Sequence, residues 1–208
     1  MRESDIRLEL ITATDDNGAI GYQNKLPWQI PSEFKYFLRM SSKPKDPSKK
    51  CIAIMGRRSW FSLPTRPFPD CINIVLSNTL PTELTGDEVD PEHTSDLIVQ
   101  DNTPSKPISD VYVARSWEHI IELLNSPEIR ARRDRIWVHG GHNLYELALQ
   151  SPYFYRLYQT HVHGTYPADA YFPEIDFGQL KKVTDPDAPQ GLIHDNGHSY
   201  EVHVYENS

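Results

Sequence analysis

The chain has 208 residues, of which 38% are hydrophobic, 11% aromatic and 24% charged, enough apolar material for a single folded domain over 1–208 and too much for a disordered chain. Its 21 Lys and Arg stand against 29 Asp and Glu, and the net charge of −8 has the wrong sign for tracking a phosphate backbone or an anionic bilayer, so neither nucleic acid nor membrane is expected as a partner. No apolar run reaches the roughly 18 residues of a membrane span, MRESDIRLEL lacks a secretion signal's apolar core, and Cys51 and Cys71 form no disulfide framework or ligand spacing, so a soluble protein of the reducing cytoplasm is expected.

In chain order, a β-branched run from Leu8 to Thr14 predicts the first strand, and PSEFKYFLRM, with Pro31 in its first turn, predicts a helix to Met40. Lys43 to Lys50 is polar with two prolines and reads as a loop. Strands follow at Cys51 to Met55 and Ile72 to Leu76, separated by a short helix at Ser59 to Leu63. Residues 78 to 109 hold Pro81, Pro91, Pro104 and Pro107 around the acidic Asp87, Glu88, Asp90 and Glu92, which suits a long exposed surface loop better than a packed element. A strand at Asp110 to Ala114 leads into a helix from Ser116, its N-cap, to Leu124. The basic run Arg130 to Arg135 reads as a helix end plus loop rather than a nucleic-acid patch. Ile136 to His139, a helix at Asn143 to Leu149, and strands at Leu157 to Val162 and Tyr200 to Tyr205 complete seven strands and four helices. Nearly continuous apolar strands between helices predict an open α/β sheet, mainly parallel, with helices on both faces. The last two strands interleave polar residues and read as antiparallel edge strands.

Four constellations could carry chemistry. Glu33 follows Leu26, Pro27 and Trp28 and is flanked by Phe34 and Phe37. In an apolar cleft its carboxyl would be desolvated and could anchor a proton-bearing heterocycle, whereas the helix pattern alone favours a solvated glutamate in a first turn. Met55, Gly56, Arg57, Arg58 and Ser59 lie between a strand and a helix and could cradle a phosphate, or be a glycine-bearing strand exit with solvated arginines. His139, Gly140, Gly141, His142 and Asn143 place paired glycines at a second such exit, without the six-residue dinucleotide fingerprint. His139 with His142, and His161 with His163, are histidine pairs for which no cysteine or carboxylate completes a set at ligand spacing, so no metal is expected.

In their order and intervals these stretches resemble dihydrofolate reductase. The likeness runs through LITAT, IGYQNKLPW, EFKYFLRM, IMGRRSWFSLP, RPFPDCINIVLS, ARSWEHIIELL, IWVHGGHNLYELAL, THVHGTYPADAYFPEID and YEVHVYE, nearly the whole chain. The resemblance implies an eight-stranded, mostly parallel sheet with about four helices and reduction of dihydrofolate to tetrahydrofolate by NADPH, in a protein that is usually a monomer and binds antifolates. It makes Glu33 the pterin's carboxylate, with Thr160 bonded to it, Trp28 holding a water beside it and Tyr145 nearby. Ile11, Phe34, Phe37, Leu63, Pro64, Phe68 and the backbone of His139 would line the substrate. Ala13 and Ile20 would hold the nicotinamide carboxamide under a mobile segment from Gly21 to Trp28. Gly56, Arg57, Arg58 and Ser59 would meet phosphates, Ser77 and Arg115 would flank the adenosine, and Gly140, Gly141, Asn143 and Leu144 would admit the pyrophosphate, with a cis bond between the two glycines.

Three departures from the family pattern stand out. Cys71 replaces the arginine whose fork pairs with the substrate's α-carboxylate, which should weaken folate binding unless Arg66 or Lys35 reaches it. Ser59 replaces a threonine and keeps its hydroxyl. His139 replaces an aliphatic residue and could add a group titrating between about pH 5 and 8. Two alternatives stand beside this reading. One is the pyrimidine reductase of riboflavin synthesis, which lacks the Pro27, Trp28 and Glu33 set. The other is a non-catalytic NADPH-binding protein of the same fold, motivated by Cys71.

Overall fold

The computed structural model describes residues 5–90 and 106–207. The strands are β1 (Leu8–Thr14), β2 (Ala19–Gly21), β3 (Lys50–Gly56), β4 (Cys71–Leu76), β5 (Val111–Ala114), β6 (Arg133–Val138), β7 (Phe154–Val162), β8 (Ala170–Tyr171), β9 (Leu180–Val183), β10 (Ile193–Asp195) and β11 (His198–Asn207). The helices are α1 (Pro31–Ser42), α2 (Arg57–Ser62), α3 (Trp117–Asn125), α4 (Pro127–Arg132) and α5 (His142–Gln150). The main sheet runs β10-β11-β7-β1-β6-β3-β4-β5. Its pairs from β7 to β5 are parallel, and β11 turns antiparallel against β7. The outermost position beyond β11 is shared: β10 pairs with its start at His198–Tyr200 and β9 with its end at Val204–Asn207. Eight positions are thus filled by nine strands, and β2 and β8 form a separate small ladder.

Alternation along the strands divides the core in two. Leu8, Leu10, Ile52, Ile54 and Ile136 meet Ile120 and Leu124 of α3, Ile129 of α4 and Leu144 of α5. On the other face Ile11, Ala53, Met55, Trp137 and Tyr158 meet Tyr36 and Met40 of α1 and Trp60 of α2. Among the described residues, no helix is long and apolar enough to cross a membrane.

Three expectations are corrected. Residues 157–162 do not form an edge: β7 is interior, parallel to β1 on one side and antiparallel to β11 on the other. Its interleaved polar positions are half-buried although both of its edges are paired. The 78–109 segment is not wholly exposed, since Leu80 and Leu84 are buried in the core and the Ile108 amide donates to the Leu84 carbonyl at 2.8 Å. Pro91, Glu92 and Pro104 of that segment lie outside the described residues. The Arg130–Arg135 run is the end of α4 and the start of β6. Arg130 and Arg133 pair with Asp5, at 3.4 and 2.7 Å, and Arg132 pairs with Asp110 at 2.5 Å. Arg135 is buried against Glu9, beneath the Tyr158 hydroxyl and over the Trp137 ring.

Burial pushes the Glu9 carboxyl above its ordinary range despite the Arg135 guanidinium beside it. Truncating one partner of such a pair strands the other charge. Glu9→Ala should therefore destabilise the fold by about 3–5 kcal/mol, whereas replacing Glu9 and Arg135 together by apolar residues of matched volume should be close to neutral, as read by denaturant unfolding.

Candidate active site

The candidate cleft lies at the carboxyl ends of the parallel strands, where open α/β sheets bind ligands. Its base is set by α1. Ile30 is extended (φ −126°, ψ 92°) and Pro31 opens the helix, so Glu33 falls in the first turn on the face that also buries Tyr36 and Met40. Glu33 is 5% exposed, and its Oε1 accepts from Thr160 Oγ1 of β7 at 3.0 Å. Desolvation pushes its carboxyl up to about 7, the Thr160 hydroxyl only partly opposing this. The solvated alternative for Glu33 is thereby removed.

Aromatic rings line the approach. Phe34 and Phe37 stand 6.0 Å apart between centroids, Phe37 meets Phe68 at 5.4 Å, and the His139 imidazole packs edge-on against Phe37 and Phe68 at 4.8 and 4.7 Å. Trp28 is buried edge-on against Tyr166 at 5.3 Å, and its indole Nε1 has no hydrogen-bond partner among the described residues. Neither His139 ring nitrogen finds a partner among the described residues, and desolvation pushes the imidazole down to about 3. The expectation of a group titrating near neutrality at His139 is therefore corrected: packed between two phenylalanines, the ring stays neutral there.

The strand ends converge tightly. The Gly56 amide donates to the Gly140 carbonyl at 2.8 Å, the Gly140–Gly141 bond is cis, and the Tyr145 hydroxyl donates to the Ile11 carbonyl at 2.7 Å. Gly140 has φ +103°, and a Cβ there would stand 2.8 Å from the Tyr145 ring. Gly141 caps α5 without a side-chain hydrogen bond, and a Cβ there would meet nothing within 4 Å. Arg57, Arg58 and Ser59 open α2 directly after Gly56. The Arg57 guanidinium is 4.0 Å from Asp90. Ser77 follows β4, and its carbonyl accepts from Arg115, which follows β5, at 2.6 Å. Asn143 is exposed, while the Leu144 side chain is buried in the core and can offer a ligand only its backbone.

The segment from Gly21 to Trp28 is latched at its base. Ala19 and Gly21 pair with Tyr171 and Ala170, the Asp169 amide donates to the Gly21 carbonyl at 3.0 Å, and Asp169 Oδ2 accepts from the Gln23 amide at 2.8 Å. Ala13 and Ile20, both half-buried, flank this hinge. Asp15 adds to it, accepting from the Asn17 and Ala19 amides and from the Tyr166 amide. The sequence reading missed Asp15, Asp169 and Tyr166: Asp15 caps its own turn locally, but the contacts that tie it to Tyr166 and Asp169 to Gln23 span 151 and 146 residues with no local signal.

At the far rim Leu63 is half-buried and Pro64 exposed. Arg66 stacks over Phe61 at 5.1 Å and donates to the Glu88 carbonyl at 3.0 Å. Cys71 is buried, in register with Cys51, and its thiol donates to the Ser41 carbonyl at 3.3 Å. Burial holds both thiols protonated, Cys51 up to about 12 and Cys71 higher still.

Comparison with known proteins agrees with this geometry. The family model described as Dihydrofolate reductase matches residues 7–103 and 91–207. A dihydrofolate reductase of Gallus gallus is 33% identical over 205 residues, covering 97% of this chain and 96% of that protein. One of Drosophila melanogaster is 34% identical over 203 residues, covering 97% and 98%. The solved Schistosoma mansoni dihydrofolate reductase superposes with a TM-score of 0.78 at 32% identity, covering 99% of this chain and all of that one.

The Glu33 environment has a consequence for stability. Because its folded value, near 7, lies above the ordinary 4.5, the unfolded chain gives up this proton first as pH rises. The stability supplied by neutral Glu33 is complete below about 4.5 and is lost up to about 7. Glu33→Gln, which cannot ionise but can still accept from Thr160, should be more stable than wild type by about 3 kcal/mol at about pH 8 and by little at about pH 4, measured by denaturant unfolding.

Proposed function

The chain belongs to the dihydrofolate reductase family, and on that footing we propose that it reduces 7,8-dihydrofolate to 5,6,7,8-tetrahydrofolate with NADPH, supplying one-carbon units for thymidylate and purine synthesis. The observation that carries this reading is Glu33, a desolvated carboxyl at the base of an aromatic cleft that accepts from the Thr160 hydroxyl. Such a group gains most from a ligand that brings N–H donors, because these replace the water it has lost and draw it into its ionised form.

In that role Glu33 accepts from the pterin's amino group and adjacent ring nitrogen, orienting the ring and raising the basicity of the nitrogen to be protonated. Thr160 fixes the carboxyl's rotation, and the Trp28 indole N–H, without a partner among the described residues, would hold a water beside it. Phe34 and Phe37 sandwich the pterin and benzoyl rings, Ile11 and the His139 backbone take the pterin's edge with Tyr145 fixed behind them, and Leu63, Pro64 and Phe68 form the opposite wall. Leu26 and Tyr22, exposed on the 21–28 segment, supply apolar cover that excludes water when it closes.

NADPH, when bound, supplies the hydride. The residues present fit it: the uncapped, open start of α5 at Gly141 lies beside the Arg57, Arg58 and Ser59 exit, a setting for an anionic pyrophosphate. Ala13 and Ile20 would take the carboxamide through backbone groups, Gly21 and Gly56 allow close approach, and Ser77 and Arg115 flank the adenosine. Gly140, Gly141, Asn143 and the Leu144 backbone border the pyrophosphate.

The direct test is NADPH oxidation on adding dihydrofolate, with and without a diaminopyrimidine inhibitor. Inhibitable turnover is expected, and Glu33→Ala should abolish it while leaving NADPH binding intact; wild-type protein that binds NADPH without turning over would make the chain a binding protein. The tail of the substrate gives a second expectation. With a buried thiol at Cys71 and Arg66 held by the Glu88 carbonyl, no fork is aimed at the α-carboxylate from position 71. Cys71→Arg should lower the KM for dihydrofolate by about tenfold or more, leaving inhibition by small diaminopyrimidines unchanged.

A further inference from the structure

Outside the cleft, the outer face of β7 carries a cluster that the reductase reading does not use. Thr160 points into the cleft, so its neighbour His161 faces the opposite side, and His163, two residues on, shares that side with ring centroids 4.9 Å apart. The residue that completes the group comes from the turn after β1. Asp16 is 145 residues away in sequence, and its Oδ1 lies 2.8 Å from His161 Nε2. Its position is fixed from both ends: the Asp16 amide donates to the Gly164 carbonyl at 3.1 Å, and the Gly164 amide donates back to Asp16 Oδ2 at 3.0 Å. One carboxylate oxygen is thus occupied by backbone while the other faces the imidazoles.

We propose that Asp16, His161 and His163 bind a divalent transition-metal ion of the zinc class, clamping the β1–β2 turn to the end of β7. One donor atom from each lies within 4.8 Å of the others. Around a tetrahedral ion with bonds of about 2.0–2.2 Å, donors stand about 3.4 Å apart. A bound ion would widen the Asp16–His161 contact from 2.8 Å and draw the more distant donor inward, an adjustment that the exposed His163 side chain can make by rotation. Two imidazoles and one carboxylate select zinc, nickel or copper over magnesium or calcium, which want mostly oxygen.

An outer carboxylate is also in place. Glu201 of β11 sits opposite His161 in register, and its Oε2 lies 3.5 Å from His163 Nε2, positioned to orient that ring. A bound ion would act on the hinge. Asp16 lies three residues before β2, and the Gly18 carbonyl between them accepts from Phe172 at 2.8 Å, so the clamp would brace the base of the 21–28 segment from the far face of the sheet.

The test is calorimetric titration of the full chain with zinc chloride at about pH 7.5, where metal ligands need not compete strongly with protons, alongside thermal melts with and without zinc. One equivalent should bind and raise Tm. Asp16→Asn and His163→Gln should each abolish that binding, and Glu201→Gln should weaken it by about 10- to 100-fold, while His119→Asn, remote from the cluster, should leave it unchanged. If Asp16→Asn also lowers the metal-free Tm, His163→Gln carries the test, since its side chain is exposed. Absence of stoichiometric binding, binding that survives both Asp16→Asn and His163→Gln, or a thiolate charge-transfer band with cobalt would each overturn the proposal.

Discussion

The closeness of Gly140 to its neighbours is the constraint on which the cleft depends. A methyl group there would stand 2.8 Å from the Tyr145 ring, and the backbone at φ +103° is closed to ordinary side chains. Because the position is bare, its carbonyl can accept from Gly56 while the Tyr145 hydroxyl reaches past it to the Ile11 carbonyl. Three parallel strands and a helix therefore meet at one point. The cleft floor, the strand exits and the start of α5 take their relative positions from it.

Two buried carboxyls show how one chain separates folding from chemistry. Glu9 and Glu33 are both nearly inaccessible, at 4% and 5% exposure, and desolvation raises both. Glu9 faces a guanidinium that is itself supported by a tyrosine hydroxyl and a tryptophan ring, so its polar requirements are met inside the fold. Glu33 has one hydroxyl. Its remaining acceptor capacity opens toward the cleft, a destabilising arrangement that persists where a ligand completes it.

How much of this was legible in the sequence depended on range. The β1 strand was readable to the residue from its β-branched run, and α1 from Pro31 and its apolar spacing, because periodicity and capping are local signals. Local pattern alone could not choose between a solvated and a buried Glu33; the ordered family motifs did, and the Thr160 contact rests on a pairing 127 residues apart. The strands β2, β8, β9 and β10 escaped notice because they span two to four residues without the unbroken four-residue apolar run that marks β5. The Arg130–Arg135 run misled because charge was read as exposure, when Arg133 and Arg135 are buried by partners far along the chain. His139 misled in the reverse sense: its residue type suggests titration, and only its neighbours Phe37 and Phe68 reveal that the ring cannot take up a proton near neutrality.

The order of the strands bears on how the protein emerges from the ribosome. β7 supplies Thr160 to the cleft, and one of its edges is satisfied only by β11, over seven register pairs from Tyr200 to Glu206. Until residues 198–207 are synthesised and clear the exit tunnel, that edge stays open beside an otherwise assembled parallel sheet, a template for pairing with the wrong strand. Vectorial synthesis therefore leaves the strand that holds the cleft carboxyl half-paired through the last stretch of elongation, from the completion of β7 to that of β11, a natural point for a chaperone to engage.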